Sequence, residues 1–302
     1  MVKKVLITGG SGMLGAHVIG SGNNQTEWYS ISRADNQNYK ADFTPVVYDL
    51  AESDEIPVLE GLDAIVHCAN SRYYKEFDRY AHDIFNVNIM STFKLLEYGK
   101  KLNIKKFVYI STGGVYDLSA KTIDEKTSVL INGPEFYSGS KLCAEIMVNS
   151  YRKYFNVTIL RMFFPYGKGQ NQQNLFPGLI RKIKSGEEVV LHGSNTGIKL
   201  NPIYSEDAAG AVVKAIDLEG NHVINVGGDE ILSIRDICGI IGKKLDKPVN
   251  YRYDKLPAAQ QTLVCDISLM KKLLITLLLA LLCVLGGTAI VLAESDDWND
   301  GN

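Results

Sequence analysis

A glycine-rich turn close to the N-terminus constrains the fold more than any other feature. The apolar run at residues 5–7 leads directly into Thr8–Gly15, which reads TGGSGMLG, and a helical stretch follows. Glycines at this spacing permit a tight turn, a close approach of the backbone to a pyrophosphate, and close packing of helix on strand. The start of the helix adds free N–H groups that favour phosphate. We therefore predict a dinucleotide site whose first contacts are Gly9, Gly12, Met13, Leu14 and Gly15.

The first half of the chain alternates short apolar segments with helical stretches. Strands are expected at 4–8, 27–32, 46–48, 64–68, 106–111 and 157–161, and helices after residue 12, over 78–102 and over 137–154. Strands rich in Val and Ile that are separated by helices favour a parallel sheet covered on both faces. We predict an α/β fold with a Rossmann-type doubly wound parallel sheet, whose ligand lies beyond the carboxyl ends of the strands.

Beyond residue 167 the predicted elements become shorter. Helices are expected at 175–184, 207–218 and 233–245, and strands at 188–191 and 223–226. We predict a dinucleotide-binding domain over 1–167, with some elements of the following segment interleaved, a smaller α/β substrate lobe over 168–270, and a hydrophobic tail over 271–302.

Composition excludes several classes of function. A formal net charge of -2 offers no basic excess for a nucleic-acid backbone. The five cysteines and five histidines occur without the spacing of metal ligands, so no metal site is expected. Unclustered cysteines are typical of reduced thiols in a cytoplasmic protein.

The tail has a composition unlike the rest. Residues 273–293 form a run of 21 residues without a charge, preceded by two lysines and followed by acidic residues. This length suits a membrane span, yet the layout is also that of a secretory signal peptide. Three interpretations stay open: a C-terminal membrane anchor, a buried helix of the second lobe, or a foreign segment joined to a truncated enzyme. An anchor would leave residues 1–270 in the cytoplasm.

The end of the second predicted strand bears on the choice of dinucleotide. An acidic residue there would accept the hydroxyls of the adenosine ribose, but the strand ends in Arg33, which suits a 2′-phosphate. Arg33 therefore favours NADP over NAD. Asp35, two residues further on, could still play the acidic role and keeps NAD in consideration. Asp49 is placed near the adenine, although a solvated loop acid is an equally good interpretation. The other cofactor contacts predicted at strand ends are Leu50, Cys68 and Ala69.

The segment YSGSK places Tyr137 and Lys141 four residues apart, on one face of a helix. A tyrosine that acts as acid and base near neutral pH needs a lowered pKa, which a neighbouring ammonium and a positive nicotinamide ring favour. Thr112, at the end of the fifth strand, can hold the substrate oxygen. A second YxxxK at 251–255 follows no strand that ends in Ser or Thr, and we discount it.

The order of these motifs resembles the NAD-dependent epimerase/dehydratase family, the extended short-chain dehydrogenase/reductase group that acts largely on nucleotide sugars. The resemblance covers about residues 3–270 and includes DAIVHCA at 63–69, STGGVY at 111–116 and RMFFPYG at 161–167. It implies a catalytic triad of Thr112, Tyr137 and Lys141, with Lys141 also holding the nicotinamide ribose. The other residues that it implies are Asn88 for the cofactor and Ser111, Gly113, Phe164 and Lys199 for the substrate.

The chain departs from this family at three points. Family 4,6-dehydratases carry Asp-Glu after the catalytic Thr, where this chain has Gly113-Gly114, so dehydration lacks its acid and base. Phe164 replaces an asparagine that often touches substrate. Leu200 replaces an arginine that grips the diphosphate, with Lys199 beside it as a substitute.

These observations predict an NAD(P)-dependent sugar-nucleotide epimerase or reductase that transfers hydride at a carbinol or keto carbon. The alternative is a catalytically inactive dinucleotide-binding regulatory or scaffold protein. By resemblance, a homodimer is expected through the helices over 78–102 and 137–154.

Overall fold

The computed structural model of the protein describes residues 2–22, 25–33, 43–52, 55–119, 122–133, 135–254 and 262–275. The first half contains β1 (Lys3–Thr8), α1 (Met13–Gly20), β2 (Thr26–Ser32), β3 (Phe43–Val47), β4 (Ala64–His67), α2 (Phe77–Phe85), a π-helical turn (Asn86–Met90), α3 (Ser91–Lys101), β5 (Lys106–Thr112), a 3-10 turn (Gly113–Val115) and α4 (Phe136–Ser150). The second half contains β6 (Asn156–Met162), β7 (Pro165–Tyr166), α5 (Leu175–Ser185), β8 (Val189–His192), β9 (Lys199–Leu200), β10 (Ile203–Tyr204), α6 (Ser205–Asp217), β11 (His222–Val226), β12 (Leu232–Ser233), α7 (Ile234–Leu245), β13 (Tyr251–Asp254), β14 (Thr262–Leu263), α8 (Ser268–Met270) and a second π-helical turn (Lys271–Ile275).

Seven strands form one parallel sheet in the order β11-β6-β5-β4-β1-β2-β3. Strands β4 and β5 are almost entirely buried because helices cover both faces of the sheet, as their continuous apolar runs indicate. The strand order reverses between β4 and β1, which opens a crevice at their carboxyl ends. The predicted Rossmann-type fold is confirmed.

Each face of the sheet has its own apolar core. Helices α1 and α6 pack together on one face, where Val18 and Val212 are fully buried. Helices α3 and α4 cover the other face, where Leu95 and Val148 are fully buried. These layers fix the positions of β1, β4 and β5, whose carboxyl ends carry the predicted site.

A smaller core lies in the second half of the chain, between α5, α7, β8 and β9. Phe176, Leu191, Leu200 and Ile237 are buried there. The segment 168–270 also supplies elements to the first domain, since β11 extends the main sheet beside β6 and α6 packs on α1. The domain boundary at residue 167 stays a prediction.

Most elements differ from the expected bounds by one or two residues, and α4 ends four residues before the expected end at residue 154. Two other differences are also larger. The single helix expected over 78–102 is divided into α2, a π-helical turn and α3, and β3 begins three residues earlier than predicted. Within the ranges that the structure describes, no helix is both long and apolar enough to cross a membrane. Residues 276–302, which carry most of the tail, lie outside the described residues, so its three interpretations remain untested.

Candidate active site

The glycine turn forms a cradle that only glycines fit. Gly9 has φ +71°, and a Cβ there would lie 2.8 Å from the backbone N of Ala69. Gly12 donates its N–H to the Gly9 carbonyl at 2.9 Å and precedes the first turn of α1. A Cβ on Gly15 would collide with the backbone of Gly9. The turn therefore has the close backbone approach that a pyrophosphate requires.

A cavity of about 640 Å³ extends from this turn along the ends of β1, β2 and β4. Arg33 lies on it at the end of β2, and Asp49 lies on it after β3, where its carboxylate accepts the N–H of Ala51 at 2.8 Å. The predicted cofactor residues that line this cavity are Gly9, Gly12, Met13, Leu14, Gly15, Arg33, Asp49, Leu50, Cys68 and Ala69. The glycine cradle and the elongated lining fit a dinucleotide.

Several residues that line the same cavity were not predicted, and four of them have charged or aromatic side chains on one segment. Arg72, Tyr73, Tyr80 and Asp83 come from the loop after β4 and from α2. The rings of Tyr73 and Tyr80 stack with their centroids 3.8 Å apart, and the Arg72 guanidinium lies 4.7 Å from the centre of the Tyr73 ring. No sequence motif marks them, because only the fold brings this loop over the cavity.

A buried hydrogen-bond chain joins the glycine turn to the helix layer. The Ala69 N–H donates to Thr8 Oγ1 at 3.1 Å, and the Thr8 hydroxyl donates to His67 Nδ1 at 2.6 Å when the imidazole carries its hydrogen on Nε2. The other ring nitrogen of His67 then donates to Thr92 Oγ1 at 3.0 Å, and Thr92 donates to the Asn88 carbonyl at 2.8 Å. Burial lowers the pKa of His67 to about 3, which keeps the imidazole neutral.

Asn88, a predicted cofactor ligand, lines neither cavity of the site. Its side-chain oxygen, Oδ1, accepts the Ser71 N–H at 3.0 Å, and its side-chain NH₂ group donates to Ser140 Oγ at 2.9 Å. Ser140 in turn donates to the backbone carbonyl of Tyr137 at 2.7 Å. The structure therefore favours a positioning role for Asn88, which holds the first turn of α4 against the loop after β4.

The three predicted catalytic residues meet at a second cavity of about 520 Å³. Thr112 ends β5, and Tyr137 and Lys141 lie on successive turns of α4. The Thr112 hydroxyl forms a hydrogen bond with Tyr137 and accepts the Gly114 N–H at 3.2 Å. The two cavities adjoin and together make the cleft of the site, since they share four lining residues: Met13, Leu14, Cys68 and Asn70.

Burial dominates the electrostatics of the triad. Burial, together with the smaller effect of the adjacent Tyr74, raises the pKa of Tyr137 to about 12, whereas the hydrogen bond with Thr112 opposes the change. Burial likewise lowers the pKa of Lys141 to about 8, because the residue is only 3% exposed and its charged form loses hydration. Contrary to expectation, Lys141 is not among the protein groups that lower the pKa of Tyr137.

Tyr74 covers the catalytic tyrosine and was not predicted. Its ring centroid lies 4.9 Å from that of Tyr137, and its hydroxyl donates to Asn174 Oδ1 at 2.9 Å. Lys75 donates to the same oxygen at 2.9 Å. Since Asn174 immediately precedes α5, these contacts tie the loop after β4 to the second lobe beside the cleft.

Close packing around Gly113 and Gly114, the glycine pair after Thr112, leaves no room for a side chain at either position. A Cβ on Gly113 would lie 2.6 Å from two atoms of the Phe163 ring, and a Cβ on Gly114 would lie 2.7 Å from Ser138 Oγ. Phe164, which follows Phe163 in the chain, has φ +48°, a left-handed conformation that asparagine adopts more readily than phenylalanine. Gly113, Ser111 and Phe164 all line the catalytic cavity, as predicted substrate residues would.

The predicted diphosphate substitute lies elsewhere. Lys199 is exposed on β9 and lines neither cavity, and its charge instead lowers the pKa of Asp236 slightly, after the stronger effect of Ser233. Leu200 is fully buried in the core of the second lobe. A role for Lys199 in substrate binding stays a prediction. In the described part of the chain, no group of His, Cys, Asp or Glu could hold a metal ion.

A buried ion pair joins α4, the helix that carries Tyr137 and Lys141, to strand β6. Glu145, one turn after Lys141, accepts from Arg161 Nε at 3.0 Å and from its terminal nitrogen at 2.6 Å. Both side chains are buried, and the guanidinium lies 4.5 Å from the centre of the Tyr116 ring. The Glu145 charge also opposes the loss of the Lys141 proton.

The parallel sheet and the glycine cradle at its switch point are the fold and the dinucleotide site of the extended short-chain dehydrogenase/reductase type. Residues 5–227 match the NAD dependent epimerase/dehydratase family. The chain belongs to this family, and the prediction of an enzyme of this group is confirmed.

Several proteins are similar over most of the chain. The uncharacterized UDP-glucose epimerase YtcB of Bacillus subtilis is 27% identical over 90% of this chain and 92% of its own length. The dTDP-D-glucose 4,6-dehydratase of Mus musculus is 27% identical over 77% of this chain and 70% of its own. The crystal structure of UDP-glucuronic acid 4-epimerase from Bacillus cereus, in complex with UDP-glucuronic acid and NAD, is 26% identical, with a TM-score of 0.78 over 90% of this chain and 92% of that one.

Proposed function

We propose that this protein is an NAD(P)-dependent sugar-nucleotide epimerase or reductase. The observation that carries the proposal is the meeting of Thr112, Tyr137 and Lys141 on a cavity that adjoins the one at the glycine cradle. The glycine cradle would hold a nicotinamide dinucleotide, which would accept a hydride from the carbinol carbon of the sugar or supply one to its keto carbon. Tyr137 gives or takes the proton of the reacting hydroxyl, and Thr112 orients its oxygen. Lys141 would hold the nicotinamide ribose, and the positive charge of an oxidised nicotinamide ring would favour the phenolate of Tyr137.

The site does not support sugar dehydration, although a 4,6-dehydratase is among the similar proteins. Elimination of water needs an acid and a base near the sugar. No carboxylate is found among the described residues that line the catalytic cavity. The ring of Phe163 also occupies the space that a side chain at position 113 would need. The reaction therefore ends at hydride and proton transfer.

We propose NADP as the preferred dinucleotide, because Arg33 lines the adenosine end of the cleft. A guanidinium pairs with a 2′-phosphate through charge-assisted hydrogen bonds. Arg33→Ser should weaken NADPH binding about tenfold or more while leaving NADH binding nearly unchanged. Titration of nicotinamide fluorescence measures both constants, with Arg152→Ser as a control outside the cleft. Equal losses for both dinucleotides, or none for NADPH, would contradict the preference.

The proposed reaction is tested with purified full-length protein and nucleotide sugars in keto and hydroxyl forms. Oxidation of NADPH or NADH with a keto sugar identifies a reductase, whereas a change of hydroxyl configuration seen by proton NMR identifies an epimerase. Thr112→Val should lower either rate about a hundredfold or more, whereas Thr127→Val, outside the cavity, should not. Dinucleotide binding without any turnover would instead favour the regulatory or scaffold alternative.

We also propose that the protein forms a homodimer through the helices between residues 77 and 150. Four large apolar side chains on these helices, Phe77, Phe85, Phe93 and Ile146, are 45%, 42%, 43% and 61% exposed. Apolar side chains left exposed on helices favour burial by a partner surface. Sedimentation of the wild type and of Ile146→Glu tests this, and a monomeric wild type would refute it.

A further inference from the structure

Part of the catalytic cavity wall is apolar and comes from three separate segments. Leu118 follows the 3-10 turn after β5, Phe163, Phe164 and Pro165 follow β6, and Leu263 lies on β14. The Phe163 ring packs against Gly113, where no other side chain fits. The wall is therefore set by the fold of both halves of the chain and leaves no room for a polar group at position 113.

Charge is nearly absent from the lining of this cavity, as far as the described residues show it. Among its described lining residues, Lys141 is the sole ionisable cation or anion at neutral pH, and it is 3% exposed with its ammonium 4.6 Å from the centre of the Tyr109 ring. The polar groups belong to the triad and its neighbours Asn70, Ser111 and Ser138. An anionic substituent against the apolar wall would therefore be buried without a partner, which is strongly unfavourable.

On the basis of the proposed function, we infer that the reacting sugar is uncharged and presents a methyl group to this wall, as a 6-deoxyhexose does. A methyl group gains from contact with Leu118, Phe163 and Leu263, whereas a hydroxymethyl group loses a hydrogen bond to water there. A uronic acid, such as the sugar of the Bacillus cereus epimerase complex, would bury its carboxylate. The preferred order is methyl, then hydroxymethyl, then carboxylate.

The test uses nucleotide sugars that are identical except at carbon six, where they carry a methyl, a hydroxymethyl or a carboxylate group. Full-length protein with saturating dinucleotide should show a kcat/KM about tenfold to a hundredfold higher for the methyl sugar than for the hydroxymethyl sugar. The carboxylate sugar should be worse by at least a further tenfold. Calorimetric binding to Tyr137→Phe, which lacks the catalytic hydroxyl, should follow the same order without turnover.

A cation added to the wall provides the decisive variant. Leu118→Arg should raise the binding and turnover of the carboxylate sugar about tenfold or more relative to the methyl sugar, because the charge gains a partner. Leu118→Met keeps the volume and should preserve the wild-type order. Leu263→Arg provides the same test from another segment if Leu118→Arg fails to fold.

The outcomes separate the two proposals. Equal or better use of the carboxylate or hydroxymethyl sugar by the wild type overturns the inferred substrate class and leaves hydride transfer intact. Absence of binding and turnover with every sugar in the series, while NADPH or NADH still binds, overturns the proposed function and the substrate class together.

Discussion

Replacing Lys141 with methionine should stabilise the folded protein while it removes activity. The ammonium is 3% exposed, and burial lowers its pKa from 10.5 to about 8. At about 1.4 kcal/mol for each pKa unit, this change corresponds to about 3 kcal/mol of destabilisation at pH 7. Loss of the contact with the Tyr109 ring removes about 1 kcal/mol of that gain. We therefore expect Lys141→Met to raise the free energy of unfolding by about 2 kcal/mol at pH 7.

The effect should depend on pH in a defined direction. Below about pH 8 the lysine is protonated in both states, so the folded wild type carries the full cost of the buried charge. Between about pH 8 and 10.5 the folded state releases this proton while the unfolded chain keeps it, and the wild type becomes more stable as pH rises. The advantage of Lys141→Met should therefore shrink towards zero by about pH 10.

Urea unfolding at pH 7 and at pH 9.5 measures this difference, with dinucleotide absent. Lys101→Met, at the exposed end of α3, is the matched control and should change stability by less than about 0.5 kcal/mol at both pH values. A Lys141→Met variant that is less stable than the wild type at pH 7, or whose advantage stays constant with pH, would refute the buried-charge argument.

Two further substitutions test the packing around the site by urea unfolding. Gly113→Ala should destabilise the protein by about 1–3 kcal/mol because the new methyl displaces the Phe163 ring. Its control, Gly178→Ala, has open space around it in α5 and should stabilise the protein by up to about 1 kcal/mol. Equal changes in the free energy of unfolding for the two variants would contradict this packing. Glu145→Gln should cost about 3–5 kcal/mol because it leaves the Arg161 charge buried without its partner, and a loss below about 1 kcal/mol would show that the pair is solvated.

The local signals in the sequence were sufficient to predict the fold and to place the three proposed catalytic residues at one cavity. The cradle at Gly9 could be predicted because the backbone geometry that it needs excludes other residues, and the i, i+4 spacing placed Tyr137 and Lys141 on one helix face. Periodicity located the strands because a sheet covered on both faces requires continuous apolar runs.

The remaining features depend on contacts between distant segments, which no local pattern encodes. Tyr74 reaches Tyr137 and Asn174 only because the loop after β4 lies beside the start of α5. The wall built by Phe163 depends on its packing against Gly113. Asn88 was predicted as a cofactor ligand by resemblance, but its amide is engaged by neighbouring side-chain and backbone groups.

The most direct test of the account compares two tyrosines that both begin a YxxxK segment. Tyr137→Phe removes the hydroxyl at the catalytic cavity, and Tyr251→Phe removes one on β13, outside both cavities. Hydride transfer to or from a nucleotide sugar should fall about a hundredfold to ten-thousandfold in Tyr137→Phe, which should still bind dinucleotide, and should stay at the wild-type rate in Tyr251→Phe. Wild-type turnover in Tyr137→Phe would contradict the assignment of this tyrosine as the proton donor and acceptor.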